Sequence, residues 1–438
     1  MSREWLLEDG LPYVDGLVLS HPEQLVRLRR ECPEAGDTAR LAGDPCFDRM
    51  LAARPRREWF RRALGVRDGQ RLVVLNSTWN PEGFFGDGGG TDVLPTLLPR
   101  LAEELPVDEF RLAAVLHPNI WYGHGPGQVR AWLDRARRHG LTLIDPVHGW
   151  RQALLAADLV LGDFGAVTYY AAALGTPVLL AASASDRLDP DTPLAAFVRE
   201  APRLDPWGSL REQLSGPRSR LRRPNDPAEY VSSAPGGSAA LLRTLFYGLL
   251  ELPEPEGDAS LEPLPLPPYT PPRHTCPLVV RTHVDGRDVV VERSAAPPYG
   301  TELETHLAVH EDARNPHDLA RADVLVREGP PDDPRFGGAD RWAAETLRHH
   351  PQCALAAYVS GRETCTVRVR DVGAFELTTG ADADLDPAAA ASALHAWLVR
   401  GGVVPEGGTR LRVHVADGVH SVEVRPATWP GRTGPGDR

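Results

Sequence analysis

Lysine is missing altogether: all 48 basic residues of this 438-residue chain are arginine. With 42 prolines and 41 glycines, that is the pattern expected of a GC-rich genome, and it is not evidence for arginine-specific chemistry. No apolar run reaches the roughly 18 residues that a membrane-crossing helix requires. The N-terminus, Met1-Ser2-Arg3-Glu4-Trp5, has no apolar signal-peptide core. The expectation is a cytoplasmic protein without a transmembrane segment. Cysteine is sparse: Cys32, Cys46, Cys276, Cys353 and Cys365 form no CxxC and no zinc-type spacing with histidine. Buried free thiols are therefore expected, with no metal and no cofactor. A nucleophile elbow (GxSxG), an HExxH helix and an EF-hand loop are also absent. The stretch 83–90 (GFFGDGGG) lacks a following Lys-Ser/Thr, so it is not a phosphate loop and is expected to be mobile.

What is present is uneven. The net charge is −12, but residues 1–250 hold 29 Arg against 31 Asp and Glu, whereas residues 251–438 hold 19 against 29. The excess of negative charge is thus C-terminal, which argues against nucleic acid as a partner, because that affinity rests on neutralising phosphates. A proline-dense stretch, residues 252–277, reads as a stiff, extended linker. It divides a first domain (1–251) from a second (278–428), with a frayed tail at 429–438.

In the first domain strands and helices alternate. Apolar runs at 71–75, 110–116, 141–144, 159–161 and 177–181 read as strands, and amphipathic segments at 93–104, 128–139, 150–157 and 167–174 as helices. This implies a Rossmann-like parallel sheet covered on both faces, with ligands beyond the carboxyl ends of its strands. The second domain changes pattern. Asp285-Gly286 lies between two β-rich runs as a hairpin signal, and further strands are expected at 304–310, 322–326, 354–359, 364–369, 410–415 and 421–424. Helices are expected at 339–350 and 387–400. The reading is a small α+β domain with mainly antiparallel pairing. His306 and His310 alternate on one strand face, with solvent as the expected environment.

Four segments could carry chemistry. The run 159–168 takes a strand into a glycine turn and then opens a helix. Its Gly165, Ala166, Val167 and Thr168 backbone is suited to a phosphate, since a helix start offers free N–H groups and partial positive charge. Asp163 there either bonds a ligand hydroxyl or caps the helix. His117, before Pro118, ends a strand where it could meet a phosphate or transfer a proton. Ser77 and Thr78 follow the first strand, facing a ligand or capping a turn. Gly43-Asp44-Pro45 precedes an arginine-rich helix, 54–62, expected to be a solvated face.

The order of these segments, followed by Ala173-Leu174-Gly175-Thr176-Pro177, resembles the second half of the CDP-glycerol glycerophosphotransferase family, and is similar to the UDP-N-acetylglucosamine 2-epimerase family. The likeness runs over roughly residues 15–200. It implies a GT-B fold, two Rossmann-like domains with a nucleotide between them, of which this chain would hold the C-terminal type. It further implies that His117 lies near the phosphates and that Asp163, Gly165, Ala166 and Val167 form the diphosphate turn. A nucleotide diphosphate of CDP or UDP type is the implied ligand. The N-terminal acceptor half is expected to be missing and supplied by a protein partner. Two features depart from the family: Gly165-Ala166 replaces a serine- or glycine-rich turn, and Tyr170 stands where a ribose-binding carboxylate is expected. The readings left open are a glycosyl- or glycerophosphotransferase relative, a non-catalytic scaffold or regulatory binder, and a hydrolase or epimerase on nucleotide sugars.

Overall fold

The computed structural model describes residues 3–89, 92–216, 226–271, 273–295, 304–380 and 384–427. The tail expected at 429–438 and Gly90 of the glycine-rich stretch lie outside the described residues. The first domain is built on five strands: β1 Arg71–Ser77, β2 Phe110–Leu116, β3 Thr142–Leu143, β4 Leu159–Gly162 and β5 Val178–Leu180. Their order is β3-β2-β1-β4-β5, and every neighbouring pair is parallel. The order runs outward from β1 in both directions. The chain therefore reverses its winding between β1 and β4, and a crevice opens beyond their carboxyl ends.

Strand periodicity explains the double-faced core. Leu72, Val74, Ala113, Val115 and Val160 point to one face and pack with Phe47, Met50 and Phe60. Val73, Leu75, Ala114, Leu116 and Leu161 point to the other and pack with Leu94, Leu97 and Leu101. Successive side chains of a strand leave on opposite sides, so a run apolar at every position needs cover on both. The covering helices used below are α1 Pro45–Ala53, α2 Val93–Glu104, α3 Pro118–His124, α4 Trp150–Ala156 and α5 Ala166–Ala173.

One local expectation is corrected here. The arginine-rich segment is not a solvated face. Arg57 and Arg61 reach Asp158 at 2.5 and 2.6 Å and the carbonyls of Ala156 at 2.8 and 3.0 Å, closing the C-terminal end of α4. A guanidinium fork matches exposed helix carbonyls and a carboxylate together, so neighbouring arginines serve as anchors. At the start of the glycine-rich stretch Phe84 and Phe85 are buried, and their N–H groups are bonded at the crevice. Among its described residues, the proline-dense stretch contains no strand or helix until Leu278. It lies along the first domain, with Leu264 buried, its carbonyl accepting from Arg56 at 2.6 Å, and Gln152 donating to Pro265 O at 2.9 Å.

The second domain is a nine-stranded closed barrel, an architecture that a small α+β domain does not describe. Its strands are β6 Leu278–Asp285, β7 Asp288–Ser294, β8 Glu304–His310, β9 Val324–Glu328, β10 Leu355–Val359, β11 Thr364–Val369, β12 Gly373–Thr379, β13 Thr409–Val415 and β14 Gly418–Pro426. Around the barrel the order is β6-β7-β13-β14-β12-β11-β10-β9-β8. Three neighbouring pairs are parallel (β7 with β13, β8 with β9, β9 with β10) and the rest antiparallel. The lumen is filled by helix α7, Pro387–Val399, whose Ala389, Ala390, Ala391, Ala393 and Leu394 have no exposed surface. A helix that is apolar all round has no face to give to water. Its alanines keep it slender enough for strand side chains to meet it from every direction. Helix α6, Ala339–His349, covers the outside of β9 and β10 with Trp342, Ala343 and Leu347.

Barrel closure also corrects the histidines. His306 faces inward, its ring 4.7 Å from that of His395 on α7, and burial lowers its pKa to about 3. His310 is largely buried as well, with a side-chain exposure of 13%. The alternation on the strand was real, but the face it selected was the lumen.

The two domains meet through a buried ionic cluster. Arg293 on β7 donates to Asp108 at 2.8 and 2.5 Å and to Asp386 at 2.7 Å, and Arg67 approaches Asp386 at 3.2 Å. Asp386 is also the N-cap of α7, accepting from Ala388 N at 3.0 Å. One carboxylate thus starts the internal helix and fastens the barrel to the sheet domain.

Candidate functional site

The crevice beyond β1 and β4 is assembled from three turns. Strand β1 ends in Ser77 and leads to Thr78 and Trp79; β2 leads to His117; β4 leads through Asp163 and Phe164 to Gly165 and helix α5. Strand pairing sets their mutual position: Ser77 is in register with Leu116, and His117 N donates to Ser77 O at 3.0 Å.

The sequence candidates separate into an inner, an outer and a distant group. Ser77, Asp163 and Thr168 are inner, with exposures of 2%, 0% and 0%. Asp163 acts as a hub. One carboxylate oxygen accepts from Thr78 N at 2.8 Å and Phe84 N at 3.0 Å and lies 3.2 Å from the Ser77 hydroxyl, while the other accepts from Gly165 N at 3.0 Å. Ser77 Oγ in turn accepts from Phe85 N at 2.8 Å. Burial pushes the Asp163 carboxyl up, against the pull of these donors, which favour the charged form. Thr168 Oγ1 accepts from Asn76 at 2.8 Å, beneath Gly162, where any Cβ would collide with the threonine. These three side chains shape the turns from behind.

Thr78, His117, Gly165, Ala166 and Val167 are outer, each half-buried or exposed. Gly165 sits against Thr78: a Cβ on the glycine would come within 3.0 Å of the threonine Cβ. Helix α5 begins at Gly165 without any side-chain cap, although Asp44, Thr192, Ser209, Asn315 and Asp386 all cap their own helices. The first N–H groups of α5 thus have no side-chain acceptor, and the helix dipole places partial positive charge there. His117 caps α3 through Nδ1, which accepts from Asn119 N at 3.1 Å. In the neutral ring the proton is then on Nε2, leaving it as a donor. Burial lowers the His117 pKa, so the ring is neutral at pH 7. Trp79 lies 6.5 Å away, ring to ring, and is 52% exposed.

Tyr170 is not part of this group. Its hydroxyl donates to Asp44 at 2.5 Å, and its ring packs near Phe47 and Trp150. Asp44 also caps α1 through Phe47 N at 2.9 Å. The Gly43-Asp44-Pro45 turn and the α5 tyrosine are therefore partners in one contact.

Reading the sequence missed the amides of Phe84 and Phe85, which complete the Asp163 and Ser77 shell. Backbone donors leave no trace in side-chain identity, and the surrounding glycines pointed to mobility instead. The α5 N–H groups, the Thr78 hydroxyl and the His117 Nε2–H are each of a type that can donate to an oxyanion. Among the described residues, no carboxylate hydrogen-bonds to His117, and no group of three or more His, Cys, Asp or Glu is placed to hold a metal ion. No described helix is long and apolar enough to cross a membrane.

No family model matches the chain, and no curated protein does. Among solved structures it is similar to the wall teichoic acid polymerase TagF, at 17% identity over 40% of each chain, with a TM-score of 0.29. It is also similar to the Methanocaldococcus jannaschii UDP-GlcNAc 2-epimerase, solved with UDP-GlcNAc and UDP, at 15% identity over 53% of this chain and 61% of that one, TM-score 0.34. A third is Anabaena Alr3699/HepE, solved with UDP and glucose, at 13% identity over 55% and 64%, TM-score 0.27. The chain spans less than two thirds of each of these proteins, and the likeness is a partial one of fold.

Proposed function

We propose that the crevice binds the diphosphate of a nucleotide donor, of CDP or UDP type, and that the chain is a relative of GT-B glycosyl- and glycerophosphotransferases. The observation that carries this reading is the uncapped start of α5 at the switch point of the sheet, with Gly165 packed against Thr78. An anion there would meet N–H groups that no side chain satisfies. When a donor is cleaved, negative charge gathers on the departing phosphate. The helix start and the His117 Nε2–H are donors fixed in advance for that charge.

Calorimetric titration of the full chain with CDP, UDP and CDP-glycerol tests this. Micromolar binding is expected, lost in His117→Ala and weakened roughly tenfold, about 1.4 kcal/mol, in Ala166→Asp. Ala166 is the sounder position for adding charge, because it is exposed, whereas a side chain at Gly165 would press on Asp163 and Thr78 at 3.0 Å. If none of the three nucleotides binds the folded protein, the proposal fails.

A second reading, a non-catalytic scaffold that keeps this half for binding, is favoured by two commitments. The carboxylate of Asp163 is surrounded by the protein's own donors, and the Tyr170 hydroxyl belongs to Asp44. Transferase activity of the chain with a CDP- or UDP-type donor would rule this reading out.

A further inference from the structure

Phe85 borders a cleft of about 260 Å³, between the glycine-rich loop, α2 and the helices Pro126–Trp132 and Asp134–Arg138. Its walls are apolar: Phe85, Leu98, Pro99 and Trp132 line it. The loop wall at Gly88 carries no side chain. Its φ of +96° suits glycine, and a Cβ would come within 3.3 Å of the Trp132 ring. Trp132 is 44% exposed, a large aromatic surface left open to the cleft. Two polar residues complete the lining. Arg135 is exposed and its guanidinium makes no hydrogen bond or ion pair among the described residues, while the neighbouring carboxylate, Asp134, is engaged by Arg138 at 3.2 Å and Arg314 at 2.8 Å. His139 has a buried Nδ1 with no partner among the described residues.

We propose that this cleft is a second binding site, for a small amphiphile with an apolar body and one anionic head group. An apolar pocket with a few converging polar groups is the usual form of a small-molecule site. Here the apolar body would cover Trp132 and Leu98, and an anionic oxygen would meet the unpaired Arg135 guanidinium. A cationic head would be repelled by that guanidinium, and a neutral one would forgo the ion pair. Both carboxylates and phosphate monoesters offer the required oxygens.

The test is calorimetric titration of the full chain with decanoate, decyl phosphate and decanol, each below its micellar concentration. At least one anion is expected to bind tenfold or more tightly than decanol. Whichever anion binds better identifies the head group, carboxylate or phosphate. In Arg135→Gln the advantage over decanol should disappear; the residue is exposed, so the fold is retained. In Ala136→Leu, which fills the cleft, binding of both anions should be lost while the thermal midpoint stays within a few degrees of the parent. Anions that bind no better than decanol, or an unchanged preference in Arg135→Gln, would overturn the proposal. Nucleotide binding in the crevice is measured independently and is expected to be unaffected by either substitution.

Discussion

Arg293→Ala is expected to destabilise the protein by about 3–5 kcal/mol, the cost typical of breaking a buried ion pair from one side. Arg293 and Asp108 have side-chain exposures of 4% and 6%, and Asp386 stands at 16%. Removing the guanidinium leaves two carboxylates close together with little water, and among the described residues Arg67 remains near one of them. The Asp386 cap of α7 weakens at the same time, because its carboxylate loses a partner that held it ionised. Urea unfolding of the two proteins measures the difference, and a loss under 1 kcal/mol would show that the cluster is not a fastening. The pH dependence has a definite sign. Burial alone would push Asp386 up, but Arg67 and Arg293 overcome it and hold the carboxyl well below the ordinary range. A depressed carboxyl pKa contributes stability that is fully present above the unfolded value, about 3.9, and is lost as pH falls toward the folded value. The parent should therefore lose stability steeply below about pH 4. Arg293→Ala should lose it more shallowly, since less of that stabilisation remains to be removed.

Asp163→Ala should cost a comparable amount, about 3–5 kcal/mol, because three amide donors lose a charged acceptor at once in a dry site. The amides are those of Thr78, Phe84 and Gly165. Asp163→Asn keeps one acceptor oxygen but turns an NH2 toward N–H groups, so an intermediate loss of about 2 kcal/mol is expected. Stability alone would not separate this hub from any other buried polar residue. Amide hydrogen exchange does: protection at Thr78, Phe84 and Phe85 should fall in both variants well before global unfolding. Unchanged protection at Phe84 and Phe85 would mean that Asp163 does not organise the turn. Loss of the turn should also abolish nucleotide binding, because the α5 start and Thr78 would no longer hold their spacing.

Much of the local structure was legible in the residues. Continuous apolar runs identified β1, β2, β4 and β5 as strands covered on both faces, and Asp285-Gly286 marked the hairpin between β6 and β7. The helices around Trp342 and Leu394 began where expected, at Ala339 and Pro387. What was less legible was the meaning of a pattern rather than its presence. The segment 387–399 is helical and apolar on every side, a signature of full enclosure, but enclosure in a barrel requires strands that are far apart in sequence to find one another. Strand β12, Gly373–Thr379, was not expected at all, and without it the ring does not close. His306 shows the same dependence, since alternation separates two faces and cannot say which one meets water.

The crevice follows the same division. That Thr78, His117 and Gly165 each end or follow a strand is a property of the sequence, and a parallel sheet brings such ends to one side. That Asp163 turns inward to three amides, and that Tyr170 reaches Asp44 across 126 positions of chain, was decided by packing. Most of the strands and helices, and their polarity, follow from the residues alone, because hydrophobic period and turn chemistry act over a few residues. Tertiary structure alone decided barrel closure, the contents of the lumen and the direction of each buried polar side chain. Those outcomes depend on which distant donors and apolar surfaces arrive at the same place, and a buried polar group takes whichever partners it finds there.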